Sequence, residues 1–249
     1  MREIIVAKDK TELTRAAAER FIGIAEPVVK ETGRFAVALS GGSTPRALYS
    51  LLSSSFRVAI DWSKVFFFFG DERNVPPDDD QSNFRMVNET LFKPLAIADS
   101  NIFRWQTELD DVDKIVGEYQ KMFRSFFADE LPVFDLILLG MGPDGHTASL
   151  FPDTEALNET EAAIAKNWVE KLKTWRFTFT YPTINSARNV VFLAAGDEKA
   201  EVLKQVIEGP KKCSLLPSQC VDPQNGRLTW LVDSAAASRL DKATLTIHN

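Results

Sequence analysis

The feature that most constrains this chain is a series of short apolar runs, such as VFFFF at 65–69 and FDLILLG at 134–140, that recur from end to end. A strand with one face in water alternates apolar and polar residues. A continuous Val, Ile, Leu and Phe run is what a strand covered on both faces needs. Strands are predicted at 4–7, 35–39, 65–69, 101–105, 134–139, 175–180, 190–194 and 228–232. Amphipathic stretches lie between them, including 11–32 closed by Gly33 and 197–208 closed by Gly209. Pro27 predicts a kink or a break in the first. Strand–helix alternation implies an α/β fold, a mainly parallel, Rossmann-like sheet with helices on both faces. No linker, low-complexity tract or internal repeat interrupts the pattern. Residues 1–249 therefore read as one α/β domain, with 150–190 set apart as a candidate small subsidiary lobe.

Composition narrows the function. Apolar residues make up 45% and charged residues 26% of the 249, which excludes a disordered or fibrous chain. Lys and Arg total 29 against 35 Asp and Glu, a net charge of −6. That balance argues against nucleic acid or an anionic membrane as partner. An anionic ligand would need particular Lys and Arg residues to overcome the overall field. Oligomeric state is not readable, and a monomer is the default expectation. Cys213 and Cys220 stand seven apart with no CxxC spacing, and both are predicted to be reduced thiols. The apolar run in MREIIVAKDK is too short for a signal-peptide core, and no run approaches the roughly 18 residues of a bilayer span, so the expected address is the cytoplasm.

In open parallel sheets, ligands bind where loops leave the carboxyl ends of the strands. Three glycine-rich polar loops follow strong predicted strands: SGGSTPR, GDERNVPPDDDQSN and GMGPDGHTASLFP. In the first, Gly41 and Gly42 permit close approach of an anion, Ser43 and Thr44 supply hydroxyls, and Pro45 suits the first turn of a helix whose amides favour phosphate. An ordinary strand-to-helix turn would look similar, and no Walker A pattern is present. In the second, Arg73 sits between acids and a rigid VPP segment, placed to bind an anion or a developing oxyanion, whereas a solvated charged turn is the plainer alternative. Asp78, Asp79 and Asp80 lack calcium-loop spacing and read as a solvated loop, so no metal is expected. The third matches GxGxxG at Gly140, Gly142 and Gly145, but Pro143 and His146 interrupt the run of a dinucleotide site.

His146 carries more information. The other histidine, His248, is penultimate, so acid–base work by an imidazole near pH 7 falls to His146, with Asp144 two residues away to orient it. A structural histidine remains the alternative. No GxSxG elbow or HExxH set is present. General-base activation of water is what remains, and it suits a substrate that is already electrophilic.

Together the three loops resemble, in order and spacing, the signatures of 6-phosphogluconolactonases. The similarity extends to RFTFTYPTIN at 176–185 and FLAAGDEKAEVL at 192–203. The related glucosamine-6-phosphate deaminases carry an acid five residues after the histidine, where this chain has Phe151. The resemblance implies hydrolysis of 6-phospho-D-glucono-1,5-lactone to 6-phosphogluconate in the oxidative pentose phosphate pathway, with no metal or organic cofactor. It implies a phosphate site at Gly41, Gly42, Ser43 and Thr44 with Arg176 and Lys199. His146 would be the base, Arg73 would stabilise the lactone oxygen, and Asp71 and Asp144 would orient. Three readings compete with this one: an amino-sugar-phosphate deaminase, a non-catalytic sugar-phosphate-binding module and, more distantly, a nicotinamide enzyme.

Overall fold

A computed structural model describes residues 2–128, 131–241 and 244; His248 lies outside the described residues. In chain order the main elements are β1 (Arg2–Ala7), α1 (Lys10–Thr32), β2 (Phe35–Leu39), α2 (Ser43–Ser55), β3 (Val65–Phe69), β4 (Asp71–Arg73), α3 (Asn83–Val87), α4 (Lys93–Leu95), β5 (Ile102–Phe103), α5 (Val112–Phe127), β6 (Leu136–Gly140), β7 (Ile164–Val169), β8 (Thr174–Phe179), α6 (Tyr181–Ser186), β9 (Asn189–Ala194), α7 (Ala200–Glu208) and β10 (Arg227–Asp233). Seven strands pair in the order β1-β10-β9-β6-β2-β3-β5, and every pairing is parallel. All five residues of β2 are buried, odd and even positions alike, so this central strand is covered on both faces.

Local chemistry explains the first helix. The Asp9 carboxylate accepts hydrogen bonds from the Thr11 and Glu12 amides, and Gly33 closes the far end at φ 76°, a conformation glycine adopts without a Cβ penalty. Pro27 does not split it. The face carrying Leu13, Ala17, Ala18, Phe21 and Ala25 is buried, and that packing outweighs one lost backbone bond. The second predicted helix does divide, into a 3₁₀ turn over Asp197–Lys199 and then α7.

Phenylalanine fills one end of the core. The Phe68 ring stacks on Phe103 at 4.4 Å and meets Phe123, Phe126 and Phe134 edge-on at 5.1–5.6 Å. The strand predicted at 101–105 shortens to two residues, because Trp105 leaves the ladder. Its indole N–H donates to the Phe69 carbonyl, and its ring stacks 3.9 Å from Tyr119.

A second, antiparallel sheet has the order β4-β8-β7, with Asp71, Glu72 and Arg73 opposite Thr178, Phe177 and Arg176. Two of its strands lie within the stretch set apart at 150–190; the third comes from the charged loop after β3. The expected free thiols are a correction. Cys213 and Cys220 form a disulfide with Cα atoms 5.6 Å apart. The chain doubles back through hydrogen bonds from the Leu215 and Leu216 amides to the Lys212 carbonyl and a 3₁₀ turn at Pro217–Cys220, and that turn brings the sulfurs together.

Candidate active site

The carboxyl ends of β2, β3 and β6 open into one cleft of about 250 Å³, walled by Ser40, Gly41, Gly42, Asp71, Arg73, Gly140–Pro143, His146, Ala148 and Lys199. The three loops picked out in the sequence therefore meet, as the switch-point rule for parallel sheets anticipates.

Glu72 anchors the second loop. Its buried carboxylate accepts hydrogen bonds at 2.8 Å from the amides of Arg73, Asn83 and Phe84, and a longer one from the Ser82 hydroxyl at 3.3 Å. Burial nevertheless pushes this carboxyl up to about 7, against the pull of those donors. With Glu72 turned inward, Arg73 faces the cleft and its guanidinium donates to the Gln81 carbonyl. Asp71 is held from two sides, by the Ser149 hydroxyl at 3.0 Å and the Asn83 amide at 3.4 Å. A Cβ on Gly41 would overlap the Asn83 side chain, so the first loop and α3 fit together only because residue 41 has none.

Arg176 and Arg73 are cross-strand partners. Burial and the Arg73 charge lower the Arg176 pKa, with Asp71 and Glu72 acting the other way. Two cations placed side by side repel, and an anion bound between them would relieve that. Lys199 reaches across from the turn after β9 and donates to the Met141 carbonyl at 2.6 Å; burial lowers its pKa, opposed by Glu198 and Asp144. No side chain caps the start of α2, whose N-cap is Gly42 at φ 107°. Its first-turn amides stay available to an anion.

His146 is set by its own turn. The Gly142 amide donates to the His146 carbonyl at 2.8 Å, Gly145 adopts φ 75°, and the Leu216 side chain packs against Gly145. Asp144 Oδ1 lies 2.5 Å from His146 Nδ1, and the other carboxylate oxygen accepts from Lys171. Burial opposes ionisation of Asp144, but the bonds from His146 and Lys171 outweigh it and hold the carboxyl well below the usual carboxylate range. An ionised carboxylate only accepts, so Nδ1 carries a proton, and in the neutral ring Nε2 is the basic nitrogen. Phe151 stacks 4.1 Å from the imidazole.

Of the predicted site residues, His146, Arg73, Asp71, Gly41, Gly42 and Lys199 line the cleft, while Asp144 stands directly behind His146. Arg176 stands behind Arg73. Ser43 and Thr44 sit in the first turn of α2 beside the wall, with Thr44 buried. Sequence reasoning missed Ser40, whose buried hydroxyl lines the cleft with no partner among the described residues. It also missed Ser149 and Lys171, whose contacts span 78 and 27 residues. Among the described residues no three His, Cys, Asp or Glu side chains converge as a metal would need, and no helix is long and apolar enough to cross a membrane.

Fold and cleft define an α/β protein that gathers glycine-rich turns, a His–Asp pair and several cations at the carboxyl edge of a parallel sheet. A family model described as glucosamine-6-phosphate isomerases/6-phosphogluconolactonase matches residues 8–230, and the chain belongs to that family. It is 37% identical over 238 residues to a 6-phosphogluconolactonase of Nostoc sp., covering 94% of this chain and 97% of the relative. The human 6-phosphogluconolactonase is 39% identical over 215 residues, 83% of this chain and 81% of the relative. Among solved structures, the 6-phosphogluconolactonase from Trypanosoma cruzi superposes with a TM-score of 0.87 at 31% identity, covering 96% of this chain and 97% of that one. A monomeric glucosamine-6-phosphate deaminase at 21% identity and TM-score 0.77, covering 95% and 99%, shares the fold.

Proposed function

We propose that this chain hydrolyses 6-phospho-D-glucono-1,5-lactone to 6-phospho-D-gluconate, the lactone step of the oxidative pentose phosphate pathway, acting as one domain that needs no metal or organic cofactor. The observation that carries the reading is the imidazole of His146, oriented by an ionised Asp144 and opening into a cleft that also holds Arg73 and Lys199. His146 Nε2 takes a proton from water as the water oxygen adds to the lactone carbonyl carbon. Arg73 faces the oxyanion that forms. The intermediate collapses, the bond from that carbon to the ring oxygen breaks, and the ring oxygen leaves with the proton from the imidazolium. Such a positioned base contributes about 10²–10⁴-fold. The phosphate lies against Gly41, Gly42, Ser43 and Thr44, with Arg176 and Lys199 supplying charge. Asp71, held by Ser149 and Asn83, orients the sugar.

Phe151 favours this reading over the deaminase, since a ring stacked on His146 occupies the position of the deaminase acid. A cytoplasmic location is part of the same proposal; the Cys213–Cys220 bond counts against it, as disulfides are rare there. The test is the decay of freshly generated lactone at mildly acidic pH, with and without protein. Acceleration by the wild type but not by His146→Ala supports the reading. Ammonia release from glucosamine 6-phosphate, or tight sugar-phosphate binding without turnover, would replace it.

A further inference from the structure

Lys171 lies in the 3₁₀ turn Glu170–Leu172 that joins β7 to β8, at the tip of the second sheet. From there it meets the His146 turn twice. Its ammonium pairs with Asp144 Oδ2, on the carboxylate whose other oxygen accepts the hydrogen bond from His146 Nδ1. The same ammonium sits 4.8 Å above the centroid of Phe151, the ring stacked on the imidazole. One side chain from a separate sheet thus touches both supports of the histidine, the carboxylate on its edge and the ring on its face.

We propose that Lys171 is a positioning residue that, by holding Asp144 and Phe151, sets the orientation and protonation of His146. The inference rests on the reading of His146 as the general base. A carboxylate bonded to an imidazole favours the imidazolium, which cannot act as a base. A cation on the far oxygen offsets that attraction and repels the imidazolium, which favours the neutral ring. The other charged groups around the cleft are Asp71 and Arg73 from β4, Arg176 beside Arg73, and Lys199 with its neighbour Glu198 after β9. Asp144 acts on Lys199 through space, but among the described residues the side chains bonded to its carboxylate are His146 and Lys171. The Lys171 side chain is 52% exposed, so solvent screens the effect and a moderate shift is expected.

The chain has two histidines, so histidine-labelled protein yields two imidazole signals, and His146→Ala assigns them. Imidazole titrations and kcat/KM against pH would be recorded for wild type, Lys171→Met and Lys171→Arg. In Lys171→Met the His146 titration and the acid limb of kcat/KM are expected to rise together by about half to one pH unit. On the plateau above that limb, kcat is expected to fall less than about 3-fold and KM to hold, with Lys171→Arg returning both curves toward wild type. An unmoved His146 titration in Lys171→Met would overturn the proposal. So would a uniform loss of activity at every pH that Lys171→Arg does not repair. If the titration moves but wild type leaves the lactone untouched, Lys171 still governs His146 and the assignment of the reaction is what fails.

Discussion

At the scale of single residues, the candidate site depends on where the His146 imidazole points. Removing it should separate chemistry from binding. His146→Ala is expected to lower kcat at least about 100-fold while 6-phosphogluconate binds within a few-fold of wild type, measured by initial rates and calorimetry. Retention of a tenth of the activity would sink that assignment. Gly142 offers a subtler probe, because a Cβ there would land on the His146 ring. Gly142→Ala removes no candidate catalytic side chain, yet it is expected to push the imidazole off Asp144. It is expected to cost about 10²-fold in kcat with the circular dichroism spectrum unchanged. The place of His146 in the cleft was legible in the sequence, since the loop follows a strong strand and contains one of only two histidines. Its supports were less so: Asp144 is a neighbour in the chain, whereas Lys171 and Ser149 reach the site only through folding.

At the scale of elements, β4 is the instructive case. Asp71-Glu72-Arg73 reads as a solvated charged turn, yet it forms a strand because Glu72 turns inward and satisfies three backbone amides. Apolar periodicity carries no sign of such a strand. β7 escaped for a related reason, as Lys166 and Asn167 interrupt its apolar residues and no continuous run appears. The strands buried on both faces were found to within a residue or two, because burial there leaves nothing polar to dilute the pattern. Pro27 and the Cys213–Cys220 pair misled for a different reason, since packing and a local turn decided them rather than spacing.

Glu72 also makes a pH signature. With its folded pKa at about 7 against an ordinary value of 4.5, the folded protein holds a proton that the unfolded chain has released between those values. Its contribution to stability therefore falls as pH rises through that window, by at most about 1.4 kcal/mol per pH unit. Glu72→Gln turns an amide NH₂ toward backbone donors and is expected to cost about 1–3 kcal/mol. The advantage of wild type over this variant should shrink from pH 5 to pH 8 in denaturant titrations; a gap that widens would contradict the sign.

At the scale of the whole molecule, charge is divided unevenly. The chain carries a net −6, yet Arg73 and Lys199 line one cleft and Arg176 is the cross-strand partner of Arg73. On the proposed reading, the phosphate dianion would be held by those local cations in spite of the overall field. Replacing Lys199 by Ala removes a charge-assisted bond worth about 1.5–3 kcal/mol and is expected to weaken the phosphorylated lactone roughly 10- to 100-fold. Hydrolysis of unphosphorylated gluconolactone should stay within about 3-fold of wild type. Equal losses on both substrates would show that Lys199 does not read the phosphate.

The pairing of β1 with β10 has a consequence for the birth of the molecule. Arg2 lies opposite Leu228 and Ala7 opposite Asp233, so β1 is synthesised well before the strand it pairs with. Through most of translation β1 is an orphan edge, held only by what α1 can offer it. A permutant in which β10 runs directly into β1 would make this a neighbouring pair in the chain instead of a distant one.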